Sequence, residues 1–479
     1  MTFSMPISDR VKAFLEEKVF LGQPLTLELT AILLVYFVQG IVGLARLAVS
    51  FFLKDTIGLN PAEVAALTGI ATLPWTIKPV FGFLSDGWPL FNYRRRPYLI
   101  LAGVLGAIAW ILMATVVNTA GTAIAAITLS SLSIAVSDVI VDSLVVERAR
   151  QESQSAVGSI QSLAWGATAL GGLITAYLGG LLLQQFSTRF IFGITAIFPL
   201  IVSLVAGLIS EDPVTQAPSF AVVRGQIQQL WGAIRQKAIW MPALFLFLWQ
   251  ATPTADAAFF FFTTNELGFE PEFLGRVRLV TSLAALLGIW IFQRFLRSVS
   301  FRRIFAWSTV LSALLGMTML LLVTHANRTL GIDDHWFSLG DSLVLTVMGE
   351  IAFMPVLVLS ARLCPPGVEA TLFALLMSIV NLAGLLSHEF GALLTHWLSI
   401  SETNFDRLWL LVLITNFSTL LPLPLLFLLP GTSAQTETAI EESTEQLTTG
   451  KPSVNLVAIR QELPETPVAV GKLDLELQK

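Results

Sequence analysis

Residues 74–98 read PWTIKPVFGFLSDGWPLFNYRRRPY. An apolar run carries one lysine, Lys78, and closes on a glycine and an aspartate, Gly82 and Asp86. A proline-broken turn follows, then three consecutive arginines, Arg94, Arg95 and Arg96, and a new apolar run. This order predicts a short cytoplasmic hairpin between two membrane helices. The arginines hold the loop on the cytoplasmic side, and Asp86 is placed to pair with one of them or with a neighbouring helix N-terminus. The stretch predicts more than a basic loop that sets topology.

The composition agrees with a membrane setting. Of 479 residues, 54% are hydrophobic and 13% charged, against about 25% charged in soluble domains. Mean hydropathy is +0.75. The single cysteine, Cys364, excludes an internal disulfide and a cysteine metal cluster. His325, His335, His388 and His396 show no HExxH spacing, and there is no GxxxxGK[ST] phosphate loop. No metal, cofactor, enzymatic activity or nucleic-acid partner is expected. A solute would be driven by its own gradient or by an ion gradient.

A span of about 20 apolar residues crosses a bilayer core. Twelve runs qualify: 27–53, 62–84, 98–118, 121–146, 154–183, 189–209, 238–262, 272–296, 301–323, 339–361, 368–397 and 405–429. The fourth and fifth are the least cleanly separated. With the N-terminus inside, sixteen basic residues fall in cytoplasmic segments. Lys54, Arg189, Arg328 and Arg407 fall opposite, joined by Arg276 and Arg278 if those lie outside the span. The positive-inside rule then puts both termini in the cytoplasm. Residues 1–26 form a cytoplasmic segment with no signal peptide, since Glu16, Glu17 and Lys18 occupy the place of an apolar core. An interfacial helix is expected over 8–20.

The reading is an all-α integral membrane protein of two six-helix halves, 27–209 and 238–429. They are joined by a cytoplasmic linker, 210–237, with a basic amphipathic piece RGQIQQLWGAIRQK, and followed by a polar tail, 430–479, that reads as disordered. Six plus six spans with both ends inside is the layout of the major facilitator superfamily. The halves also repeat. Gly82 and the arginines at 94–96 recur as Gly288, Arg294, Arg302 and Arg303, while the aspartate does not.

Charges inside spans cost about 2.5–3.5 kcal/mol at the helix centre and so mark function. The first, fourth, seventh and tenth spans carry Arg46, Asp138 with Asp142, Asp256 and Glu350. Asp138 and Glu350 lie near mid-depth, Arg46 and Asp256 toward the outer side. Asp142, one turn from Asp138 on the same face, serves either the cavity or the hairpin arginines. Lys78 is either a substrate-side cation or a partner of Asp138 or Asp142. Glu147 reads as a hairpin partner, and Glu389 with His388 as either proton-handling or structural. Arg46 could instead pair with a carboxylate to hold helices together.

The stretch PW-x-IKP-x-x-G-x-x-SD-x-x-P…YRRRPY, with SDVIVDSLVVERAR at 137–150, resembles the folate–biopterin transporter family of the major facilitator superfamily. The specific motifs lie in the first half; the second matches in layout. By resemblance Trp75, Lys78, Pro79, Gly82, Asp86, Arg94, Arg95, Arg96, Asp138, Asp142 and Glu147 fall on signature positions, and the first, fourth, seventh and tenth spans line a central cavity. The implied function is secondary active transport of folates or pterins by alternating access, coupled to protons, by a monomer among the lipids of a bacterial plasma membrane. Arg46, Lys78, Asp138, Asp256, Glu350, Trp75 and Trp165 are the candidate substrate contacts. Asp138, Asp142, Glu350 and Glu389 are candidate proton carriers, and Gly82, Asp86, Arg94 to Arg96 and Glu147 a cytoplasmic gate. Phe259 to Phe262 and Trp249 offer further aromatic faces, although packing is the commoner use of such a run. The alternatives are a transporter of another organic anion and a non-transporting pigment or light-harvesting assembly factor of related fold.

Overall fold

The computed structural model describes residues 16, 20, 23–149, 154–214, 220–296, 299–363 and 369–429. The tail and most of the expected N-terminal interfacial helix lie outside the described residues, as do Cys364 and Arg297. Among the described residues the chain is helical, with a single isolated bridge, Leu90 to Tyr93, closing the hairpin turn.

Among the described residues, ten helices are long and apolar enough to cross a membrane. They are α1 (Leu27–Thr56), α5 (Arg96–Thr115), α6 (Ala120–Ala149), α7 (Gln154–Gln185), α8 (Thr188–Leu208), α12 (Pro271–Leu296), α13 (Phe301–Val323), α14 (Asp334–Arg362), α15 (Glu369–Trp397) and α16 (Leu408–Leu428). The remaining two expected crossings, the second and the seventh, are interrupted. The second is split into α2 (Pro61–Ala71), α3 (Leu73–Thr76) and α4 (Lys78–Gly87). The seventh is split into α10 (Lys237–Gln250) and α11 (Asp256–Phe261), which runs on through Phe262–Glu266. Between the halves lies α9 (Phe220–Ile234).

Proline accounts for both breaks. Pro79 has no N–H to offer the carbonyl four residues back, that of Trp75, and a backbone acceptor left unpaired at membrane depth is costly. The Asn381 side chain of α15 donates to that carbonyl instead, at 3.2 Å. In the seventh crossing Pro253 sits in the 251–255 gap. There Ser387 of α15 donates to the Thr252 carbonyl at 2.5 Å, and its own carbonyl accepts from the Thr254 N–H at 3.4 Å. One helix, α15, thus satisfies the broken backbone of both halves.

Within the halves α1 packs on α7, and α5 on α6 and α8, in the first, and α12 and α13 pack on α14 in the second, where α13 on α14 repeats α5 on α6. The halves meet where α2, α3 and α4 run along α15 and where α7 meets α12. Further polar contacts between the halves lie at the end remote from the 88–95 hairpin. Lys54 donates to the Asn265 side chain (2.7 Å), Tyr177 to Glu272 (3.0 Å) and Gln184 to Glu270 (3.3 Å). The Phe51 and Phe260 rings meet edge to face at 5.2 Å there.

Candidate functional site

The hairpin is held by its own half. Leu90 and Tyr93 exchange backbone hydrogen bonds of 2.9 Å across Phe91 and Asn92, both at positive φ. Arg95 is buried; one of its amino groups reaches Asp86 at 2.8 Å and the other donates to Ser85 at 2.6 Å. Helix α5 starts at Arg96 without a Ser, Thr, Asp or Asn before it, so its first N–H groups have no local cap. Glu211 supplies one from the start of the linker: its carboxylate accepts from the N–H groups of Arg94 (2.5 Å), Arg95 (2.9 Å) and Arg96 (3.0 Å). An anion at a helix N-terminus is favoured by the helix dipole. Glu211 was not legible as a site residue, because a cap so remote in sequence carries no local pattern. Arg96 donates to the Gly207 carbonyl at 3.1 Å and lies 5.4 Å over the Tyr93 ring. These contacts join the hairpin to the last helix of the same half. The Glu147 side chain lies outside the described residues.

Above the hairpin, at the break in the second crossing, a polar cluster forms between α1, α4 and α6. Lys78 opens α4 directly after the break, and its ammonium pairs with Asp138. The same ammonium sits 4.3 Å from the centre of the Trp75 ring, a cation–π contact. One turn along α6, Asp142 accepts a 2.5 Å hydrogen bond from the Tyr36 hydroxyl of α1. Two carboxylates on one helix face therefore have different partners, a cation for Asp138 and a neutral hydroxyl for Asp142. Lys78 takes up the role of a carboxylate partner, and its charge is spent on Asp138.

The other candidates lie apart from this cluster. Arg46 and Asp256 are exposed although they belong to crossings. Asp256 opens α11, next to the gap in the seventh crossing. Glu350 lies where α14 meets α12: a Cβ on Gly288 would come within 2.8 Å of the Glu350 Cβ. Glu389 sits on the seam between halves, its Oε1 2.7 Å from where a Cβ on Gly69 of α2 would be. That oxygen is buried with no hydrogen-bond partner among the described residues. Trp165 is largely exposed on α7. Phe261 and Phe262 are fully buried, and the Trp249 indole donates to Thr309 at 3.1 Å, so these aromatics serve packing. No group of three or more metal-ligating side chains occurs among the described residues.

Comparison with known proteins adds three sets of relatives. Residues 39–449 match the BT1 family. A protein of Synechocystis sp. named folate-biopterin transporter is 60% identical over 440 residues, covering 92% of this chain and 88% of its own. Probable folate-biopterin transporter 2 of Arabidopsis thaliana is 33% identical, covering 82% and 80%, and folate transporter 2 of Plasmodium falciparum is 31% identical, covering 82% and 86%. Among solved structures, the nucleoside transporter NupG superposes with a TM-score of 0.63 at 14% identity, covering 84% of this chain and 99% of that one. A D-xylose-proton symporter gives 0.61 at 15%, covering 84% and 98%. At such identity the structures speak for the fold alone, and the fold is that of major facilitator transporters.

Proposed function

The chain belongs to the BT1 family, an integral membrane transporter rather than an enzyme, and from that premise we propose that it carries folates or pterins across a bacterial plasma membrane. The observation that carries this reading is the 60% identity with the Synechocystis folate-biopterin transporter along nearly the whole of both chains. The site chemistry supports it. A flat pterin offers N–H groups that a carboxylate can accept and a face that an aromatic ring can cover. Asp142, Asp138 and Trp75 lie together at the break in the second crossing, where such groups are needed.

Alternating access supplies the mechanism. The polar seam at the end remote from the hairpin, with Lys54–Asn265, Tyr177–Glu272 and Gln184–Glu270, shuts that end. Exposed Arg46, Asp142 and Asp256, inside crossings, then line a space entered from the hairpin end. With the hairpin in the cytoplasm by the positive-inside rule, this is an inward-open state.

Proton coupling is assigned to Asp142 within this reading. Asp138 is paired with Lys78, whereas Asp142, exposed inside a crossing, has no cation partner among the described residues and only the Tyr36 hydroxyl donating to it. The test is uptake of labelled folic acid into proteoliposomes with and without an inward proton gradient. Gradient-stimulated uptake is expected from the wild type, and uptake insensitive to the gradient from Asp142→Asn. Stimulation that persists in this variant removes Asp142 as the carrier. A panel of other organic anions that outcompetes folic acid would shift the substrate class.

A further inference from the structure

With Lys78 neutralised by Asp138, a cavity for an anion needs its cations elsewhere. Arg46 on α1 is one. The other is on the opposite half. Arg278 lies half-buried on α12.

Close packing fixes their relative depth. A Cβ on Gly179 of α7 would lie 3.1 Å from the Leu44 carbonyl of α1. One on Gly180 would lie 2.3 Å from the Pro271 carbonyl and 2.6 Å from the Gly275 Cα of α12. Adjacent residues of α7 therefore pin α1 and α12 at one level. Arg46 follows Leu44 and Arg278 follows Gly275 within a turn each, which at about 1.5 Å per residue keeps their Cα atoms within about 8 Å in depth. Both helices, one from each half, thus meet α7 at one place.

Neither guanidinium is neutralised. Among the described residues no carboxylate pairs with Arg46 or Arg278, and Asp256 forms no ion pair with either. The contrast with Arg276 is sharp. Two residues away on the same helix, it binds Glu272 at 2.8 Å, and Glu272 also accepts from Tyr177. The chain neutralises one arginine of α12 and leaves the other without a carboxylate partner among the described residues. Unpaired cations inside a span are costly, and two held at one level are more so, unless an anion completes the arrangement.

We propose that Arg46 and Arg278 form a clamp, one arm from each half, for a ligand tail bearing two carboxylates. Each planar guanidinium fork matches a carboxylate in bidentate fashion. A ligand with two anionic groups gives each arm, one from each half, a carboxylate of its own. The clamp rests on the folate reading for the identity of the tail, a glutamate, and not for the requirement of a dianion.

The experiment uses the detergent-purified full chain and two probes, p-aminobenzoylglutamate, which has the dicarboxylate without a pterin, and biopterin, which has the pterin without a tail. Arg46→Gln and Arg278→Gln are each expected to lower affinity for p-aminobenzoylglutamate by about tenfold or more, as loss of one charge-assisted contact requires. Biopterin binding should stay unchanged, Arg278→Lys should recover part of the loss, and Arg276→Gln should be without effect. The unliganded melting temperature should hold or rise in Arg46→Gln and Arg278→Gln, since each removes an unpaired cation from a span. Wild-type affinity for the dicarboxylate in both variants, or a fall in unliganded melting temperature with parallel loss of both probes, overturns the clamp. Folate uptake that both variants leave untouched keeps the folate reading and overturns the clamp. Arginine-dependent dicarboxylate binding by a wild type that moves no folate keeps the clamp and overturns the folate reading.

Discussion

The two halves use equivalent positions differently around their hairpins. The arginine at the start of the third helix of each half does one job in both. Arg96 donates to the Gly207 carbonyl at the end of α8, and Arg302 donates to the Phe427 and Leu429 carbonyls at the end of α16. Each places a cation at the negative end of the last helix of its half. The neighbouring positions diverge. Where the first half has Asp86 and Arg95 as an ion pair, the same register in the second half has Phe292 and Phe301, both buried. A buried ion pair and a pair of apolar side chains are about equally good at holding a fold, and the apolar pair is often better. The second half fills this register with apolar side chains, and we propose that the charged version in the first half serves the cytoplasmic gate rather than stability.

The largest effect should come from halving that ion pair. Arg95→Ala leaves Asp86 and Ser85 without this cation, and thermal unfolding of the purified protein should show a loss of roughly 3 kcal/mol. Replacing both members, Asp86→Phe with Arg95→Phe, copies the second half and should recover most of that stability while folate uptake stays low. A double variant that transports normally would make the pair a structural one.

Next come the glycines in the same register. A Cβ on Gly82 would meet only Val139 at an ordinary 3.6 Å, whereas one on Gly288 would press at 2.8 Å on both the Glu350 Cβ and the Val347 carbonyl. Gly288→Ala should cost about 1–3 kcal/mol by overpacking. Gly82→Ala should be neutral or gain up to about 1 kcal/mol from helix propensity. Equal melting temperatures for the two variants would contradict this difference in packing.

Smaller and equal effects are expected at the shared arginines. Arg96→Ala and Arg302→Ala should each lower stability by about 1 kcal/mol, since each removes a hydrogen-bonded cation from a helix C-terminus. Unequal losses would show that the halves diverge at this position as well. A comparable effect of about 1 kcal/mol belongs to Glu211→Gln, which keeps one of the two acceptor oxygens that serve the Arg94 to Arg96 N–H groups and removes the charge. Hydrogen exchange at the first turn of α5 should report it most directly.

Much of the fold follows from local pattern. Apolar runs near 20 residues give the long helices, and the hairpin motif shows where two of them turn. The breaks in the second and seventh crossings were signalled by Pro74, Pro79 and Pro253, but run length overrode them. A continuous helix and a broken one of equal apolarity look alike until the backbone acceptors are followed to Asn381 and Ser387. The site was legible where the residue type is rare in its setting, as with Lys78, Asp138 and Asp142. Which carboxylate Lys78 would pair with depends on the angle between α4 and α6, which spacing along the chain does not contain. Glu211 and Arg278 stayed hidden for a common reason. One sits in a linker and the other near a helix end, where charges are ordinary, and only packing reveals that each is brought to a place where charge is not.

Entrance counterflow asks whether the protein carries folate at all, without presuming how carriage is driven. Proteoliposomes preloaded with unlabelled folic acid are diluted into a trace of labelled folic acid, and the label inside is followed with time. A folate carrier should give a transient accumulation of label well above that of protein-free liposomes, abolished by excess unlabelled folate outside. Label that never rises above the protein-free level, with protein shown to be folded and inserted, would contradict folate transport by this chain.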